Sequence, residues 1–224
     1  MMKEDGPPAR RTRRGKVTRE KIIAVAEELI ARHGPDGFQL QQATEILGIT
    51  PPAIYNHFKD REDLVAHIAD KGGRELEERM RRQSGEDILT SLRRNARDYV
   101  AFLAEHPAHA RIILWEMARR GTTGWRGLAE SNLAIRDRMR AAFENAEARG
   151  EIRPVPMELY LQLVYIGFAA RAVWTDYAPD APGNADHEPV ALSAPSADEV
   201  ERMQDEVEAI VRRLLEPDGA SNDG

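Results

Sequence analysis

Cysteine is absent from this 224-residue sequence, which excludes disulfides, thiolate nucleophiles and any sensing of redox state or zinc through a thiol. No run of about 18 uninterrupted apolar residues occurs, so no segment reads as a membrane span. The first twenty residues are basic and proline-containing and hold none of the apolar stretch that a signal peptide needs. A cytoplasmic protein with no membrane partner is therefore expected. Catalytic fingerprints are missing as well. There is no G-x-S-x-G, no Walker sequence and no G-x-G-x-x-G, and "GTTGWRG" (121–127) lacks the lysine and the preceding strand of a phosphate-binding loop. Alternating strand patterns and internal repeats are also wanting. The expectation is an all-α protein that is not an enzyme, with no cofactor and no metal centre.

What is present is unevenly placed charge. The formal net charge is −6, which spread evenly would argue against a nucleic-acid partner. Yet residues 10–21 ("RRTRRGKVTREK") carry Arg10, Arg11, Arg13, Arg14, Lys16, Arg19 and Lys21 against the single acid Glu20. Taken alone, such an arm is more often a solvated tail than a DNA clamp, and the residues after it must decide.

After the arm, "TREKIIAVAEELIARHG" sets Ile22, Ile23, Val25, Ala26, Leu29 and Ile30 at helical spacing, with Thr18 as N-cap and Gly34 as stop. "PDGF" reads as a turn. A short helix over about 40–47 ends at Gly48, and a third begins at "TPPAIYNHF". Thr50 is expected to cap that third helix, its hydroxyl taking the N–H of Ala53. Pro51 and Pro52 fall at first-turn positions whose N–H groups have no intrahelical partner. At 100° per residue Ile54 and Phe58 share the buried side, leaving Pro52, Ala53 and Asn56 outward with Tyr55 and His57 beside them. Asparagine can bond adenine in bidentate fashion, and proline and alanine carbons can meet thymine methyls. Charge would come from Lys59, Arg61 and the arm. Two helices joined by a tight glycine turn and backed by a supporting helix outline a helix-turn-helix unit.

The run "YNHFKDREDL", Tyr55 to Leu64, resembles the Y-x-H-F-x-x-K-E-x-L signature closing the DNA-binding domain of TetR/AcrR-type transcriptional regulators. The likeness covers residues 18–66, including the GxxG-like turn and the G-I-T before the aromatic helix. Arg61 stands where lysine is usual, Gln39 replaces Thr or Ser ahead of the second helix, and Ala43 with Thr44 replaces a large aliphatic followed by alanine. The resemblance implies that Tyr55, His57 and Arg61 hold phosphates of a double-stranded DNA operator. The DNA-binding set is then Arg10, Arg11, Arg13, Arg14, Gln39, Thr50, Pro51, Pro52, Ala53, Tyr55, Asn56, His57, Lys59 and Arg61.

Helices are expected near 62–82, 87–105, 107–120, 125–149, 156–177 and 197–215, with 178–196 as an exposed Pro- and Ala-rich connection. The organisation expected is a basic arm (1–17), a helix-turn-helix domain (18–61), a helical regulatory domain (62–216) and a tail (217–224). Leu159, Leu163, Ile166, Ala170 and Val173 stripe one of the last two helices, thinned at Gly167 and Ala169. Val200, Met203, Val207, Ile210, Val211 and Leu214 stripe the other. Such stripes fit a plain core, and the family likeness points instead to a homodimer through Leu163, Gly167, Ala170, Met203, Val207, Ile210 and Leu214.

Aromatic and apolar side chains between these helices form a core by composition and a ligand cavity by resemblance. They are Tyr99, Phe102, Leu103, Ile112, Trp115, Met117, Phe143, Tyr165, Phe168 and Trp174, with His106, His109, Arg111 and Asn132 as polar neighbours. Pocket contacts are expected from Tyr99, Phe102, His106, Arg111, Trp115, Phe143, Tyr165 and Phe168. The favoured function is a homodimeric repressor released from a palindromic operator by a small hydrophobic inducer. Its rival is a helix-turn-helix repressor with a filled second domain, controlled by a partner or by abundance.

Overall fold

A computed structural model of the chain describes residues 18–81, 85–118, 137, 139–174 and 195–217, with the side chains of 117, 118 and 174 set aside. Arg10, Arg11, Arg13, Arg14, Asn132, the connection up to residue 194 and the final tail lie outside the described residues. Among those described, every regular element is helical, as the sequence pattern requires.

Helix α1 (Arg19–Gly37) starts where Thr18 accepts the N–H of Lys21 at 3.4 Å and buries Ile22, Ala26, Leu29 and Ile30. Gly34 breaks it with a left-handed φ of 72°. The expected turn "PDGF" is instead one more helical turn, restarted by Pro35, which needs no N–H partner at a first position. In α2 (Leu40–Leu47) the side chain of Gln42 accepts the N–H of Gln39 at 2.9 Å, so Gln39 serves at the cap without a Ser or Thr hydroxyl. Gly48, at φ 62°, ends α2 in the left-handed conformation glycine tolerates.

Helix α3 (Pro51–Tyr55) begins at Thr50 by a route the sequence did not suggest. The Ala53 N–H donates to the Thr50 carbonyl at 2.9 Å, and the hydroxyl makes no cap bond. With two prolines contributing no donors, that carbonyl is enough. Asp60 caps α4 (Arg61–Arg79), accepting the Asp63 N–H at 2.8 Å. Helices α5 (Ile88–Glu105), α6 (Pro107–Ala118) and α7 (139–148) follow. A continuous helix then runs through α8 (Met157–Leu161), a π-helical turn (Gln162–Ile166) and α9 (Gly167–Trp174). The chain closes with α10 (Ala197–Leu215), started by a Ser196–Glu199 capping box.

Two cores form. The first gathers Ile22, Ile30, Phe38, Ile54, Phe58, Leu64 and Ile68 from α1 to α4, and Ala108 and Ile112 of α6 are buried in it too. Full burial of each large side chain stabilises the unit by roughly 1.5–3 kcal/mol. The second core unites α5 to α10 and includes Tyr99, Phe102, Leu103, Phe143, Tyr160 and Phe168.

Helix α10 corrects the expected subunit interface. Met203 and Val207, with Val211 and Leu215, repeat every four residues and turn inward, where α10 lies along α5. They therefore belong to the interior of one subunit. Ile210 and Leu214 are half-buried against the same core. The surface left open is on the α8–α9 helix, where Leu159 (42 %) and Leu163 (45 %) stand out in water beside exposed Gly167 and half-exposed Ala170.

Candidate nucleic-acid interface and its link to the second core

The exposed side of α3 is small and specific in composition. Thr50, Pro51, Pro52, Tyr55, Asn56, His57 and Lys59 are exposed and Ala53 is half-buried, while Ile54 and Phe58 anchor the segment from beneath. Tyr55 keeps 56 % of its surface in water, a large ring left open on this side of α3. Gln39 is exposed at the start of α2. The Asp63 carboxylate accepts the Lys59 N–H at 2.8 Å, which fixes the link from α3 to α4 while the Lys59 ammonium stays outside.

Arg61 makes a contact within the unit that its sequence position did not suggest. Its guanidinium is half-buried and donates to the Pro35 carbonyl, joining the start of α4 to the last turn of α1. The carbonyls at a helix C-terminus carry partial negative charge and attract a cation. Arg61 thus braces the unit, and at least one of its donors is spent on the chain itself. Arg19, absent from the expected set, lies over the Phe58 ring at 5.0 Å from its centroid. Its position in the first turn of α1 gave no sequence signal for that contact.

Helix α6 is the seam between the cores. Ala108 and Ile112 are buried in the first, with Trp115 packed against it, whereas Ala110 is buried in the second, with Ile113 and Leu114 packed on it. Two of the expected pocket residues stand on this helix. Trp115 packs against the first core, and Arg111 reaches to within 3.6 Å of where a side chain on Gly34 would begin.

His109 completes the seam. It is 4 % exposed, and its Nε2 lies 2.9 Å from the Ile68 carbonyl of α4. A carbonyl only accepts, so Nε2 carries the proton and donates. Burial pushes its pKa down to about 4, so the ring is neutral at neutral pH. The ring fits because residue 72 is glycine: a Cβ there would sit 1.6 Å from Nε2. The pair Gly72–Gly73 inside a long helix was the available signal, since an interior glycine weakens a helix unless close packing needs it.

His106 lies against Phe102, ring centroids 4.7 Å apart, and turns its Nε2 to Glu75 of α4 at 3.0 Å. It therefore ties α4 to the α5–α6 corner. Glu75, Glu105 and His106 bring ligand-type atoms within 4.8 Å of one another. A cation already bridges the two carboxylates, because Arg79 reaches Glu75 at 2.8 Å and Glu105 at 2.6 Å. That guanidinium holds the Glu105 carboxyl below its ordinary value.

The remaining pocket residues are brought together as packed interior. Tyr99, Phe102, Phe143 and Phe168 are buried and Tyr165 nearly so, with Tyr99 and Tyr165 4.7 Å apart and Tyr160 against Phe143 at 5.2 Å. The Tyr99 hydroxyl donates to the Tyr165 carbonyl, in the π-helical turn, at 2.9 Å. Two clefts open nearby. One, of about 420 Å³, lies between α5 and the start of α10 and is lined by Arg97, Ala101, Val200 and Gln204. Another, of about 280 Å³, lies between α7 and α8, where Phe143 meets Arg140, Val155 and Met157. Of the expected pocket residues, only Phe143 borders either one.

Residues 22–68 match the sequence model of the bacterial regulatory proteins of the tetR family. The HTH-type transcriptional repressor AcnR of Corynebacterium diphtheriae is 27 % identical over 158 residues, which span 68 % of this chain and 80 % of AcnR. YobS of Bacillus subtilis, an uncharacterised HTH-type transcriptional regulator, is 26 % identical over 102 residues, 44 % of this chain and about half (52 %) of YobS. Among solved structures, AibR in complex with isovaleryl coenzyme A and operator DNA superposes with a TM-score of 0.62 at 21 % identity, over 88 % of this chain and 98 % of AibR. The ketosteroid transcriptional regulator KstR2 of Mycobacterium tuberculosis gives a TM-score of 0.63 at 17 % identity, over 91 % and 94 %. At such identities these structures share the fold.

Proposed function

The chain is a TetR-family transcriptional regulator, and from that premise we propose that it is a homodimeric repressor released from a palindromic operator by a small hydrophobic ligand. The observation that carries the proposal is the double burial of α6, which has Ala108 and Ile112 in the DNA-reading core and Ala110 in the second. A packed interior transmits displacement because it cannot compress. A ligand that parts the helices of the second core moves α6, and α6 moves the first unit through His109 and α4. Dimerisation through the exposed α8–α9 stripe sets two α3 helices roughly 34–36 Å apart, one turn of DNA. AibR, solved with both an acyl-coenzyme A and operator DNA, supplies the analogy for a fold that accommodates both.

The test has two steps. DNA retained by the pure protein is sequenced to obtain an operator, and hydrophobic metabolites are then screened for a rise in thermal midpoint, since only a molecule that binds the folded state raises it. A hit is titrated calorimetrically with and without operator. Linkage requires DNA to weaken the ligand by the same factor as the ligand weakens DNA, commonly about 5- to 150-fold. Equal affinities in the two titrations refute induction.

The close packing of Tyr99, Phe102, Phe143 and Phe168 favours a second reading, a repressor with no small-molecule inducer, controlled by a partner or by abundance. A screen in which no compound shifts the midpoint supports it.

A further inference from the structure

We propose that α3 reads its half-site at A·T base pairs, through the Asn56 amide and the methyl and ring carbons of Thr50, Pro51, Pro52 and Ala53; the inference rests on the DNA-binding reading above. Each G·C pair is recognised in the major groove chiefly by a cation on guanine O6 and N7 or by a carboxylate taking the cytosine amino group. Residues 49–58 hold neither a Lys or Arg nor an Asp or Glu. Among the described residues beside α3, the Arg61 guanidinium donates to the Pro35 carbonyl and that of Arg19 lies over the Phe58 ring. Glu45, the acid on the exposed side of α2, is bonded to the Gln41 amide at 3.0 Å.

The groups that α3 does offer match adenine and thymine. Asn56 is exposed one turn beyond Pro52, on the same face, and its amide can give adenine N6 and N7 the acceptor and donor they require. Thr50 is exposed, and its hydroxyl is not consumed by the helix cap, because the Thr50 carbonyl receives the Ala53 N–H. The two proline rings present carbon to solvent and none of the first-turn donors that would have competed for base acceptors. Such a surface has affinity for the thymine 5-methyl.

The test uses the full-length protein and a random-sequence duplex library, followed by chemically edited versions of the selected site. Half-sites carrying A·T at two or more neighbouring positions are expected. Replacing thymine by uracil there should weaken binding about fourfold per methyl removed. Replacing adenine by 7-deazaadenine should weaken the wild type, while Asn56→Ala, weaker than wild type by about 5- to 150-fold at that position, should be indifferent to it. The edited DNA reports on the unaltered protein, so the test stands even if the variant folds poorly. A selected palindrome with G·C under α3 and no response to uracil overturns the A·T reading and leaves the repressor intact. Binding with no sequence enrichment overturns both.

Discussion

Gly72→Ala adds a single methyl group at the point where α6 grips α4. The new Cβ would lie 1.6 Å from His109 Nε2, 2.1 Å from Cδ2 and 2.4 Å from Cε1, far inside van der Waals contact. His109 cannot swing aside as a surface side chain would. Its ring is buried beside Phe102 and His106, and its Nε2 is bonded to Ile68. Either the imidazole leaves, losing a hydrogen bond of about 0.5–1.5 kcal/mol, or α6 lifts from α4 at an overpacking cost of about 1–3 kcal/mol. The helix gains back about 0.8–1 kcal/mol from Gly to Ala. Lifting α6 therefore leaves a net loss of up to about 2 kcal/mol, and at about 2–4 °C per kcal/mol for a chain of this size the thermal midpoint drops by up to several degrees. Operator affinity, read by fluorescence anisotropy, should fall further than a pure stability change explains, because α4 carries the DNA-reading unit. Adding His109→Ala opens space for the methyl, so the double variant should be less impaired than the two single effects summed. A Gly72→Ala protein that melts at or above the wild type and binds operator equally would refute the coupling.

Three further outcomes follow from the same contacts. The His109 pKa is depressed to about 4 in the folded chain against about 6.5 unfolded, so the unfolded state binds the extra proton. Stability is fully present above pH 6.5 and should decline as pH falls towards 4, by up to about 3 kcal/mol, and His109→Phe should flatten that slope in pH-dependent melts. Arg61→Ala should lower both the thermal midpoint and operator affinity yet leave the salt slope unchanged, whereas Lys59→Ala should reduce the slope by about 0.9; a matching reduction for Arg61→Ala would place it on a phosphate. Leu159→Glu with Leu163→Glu should give monomers in sedimentation with helicity retained, while Val207→Glu should melt the second core; dimers that survive the first pair would locate the interface elsewhere.

Local signals placed the helices, though not the helical turn after Gly34 or the way α3 begins at Thr50. Thr18, Asp60, Asp87 and Ser196 cap α1, α4, α5 and α10 because each places an oxygen over the N–H three residues on, and Gly48 ends α2 because the backbone there turns left-handed. Ile54 and Phe58 could be assigned inward and Pro52 and Asn56 outward from the 100° turn alone. These interactions span a few residues, so the chain states them wherever they occur.

Tertiary packing chose among patterns that read alike. An apolar stripe shows only that a helix must cover one side, and α10 covers its side with α5 of the same subunit, which moved Met203 and Val207 from surface to interior. Arg61 is as cationic as the sequence says, but a carbonyl 26 residues earlier takes its guanidinium. His109 is joined to a backbone oxygen 41 residues away, and Trp115 and Arg111 face the first core because α6 lies between two cores. Periodicity records how much of a helix is buried, whereas the partner is set by which surfaces meet when separated segments pack at close to crystal density.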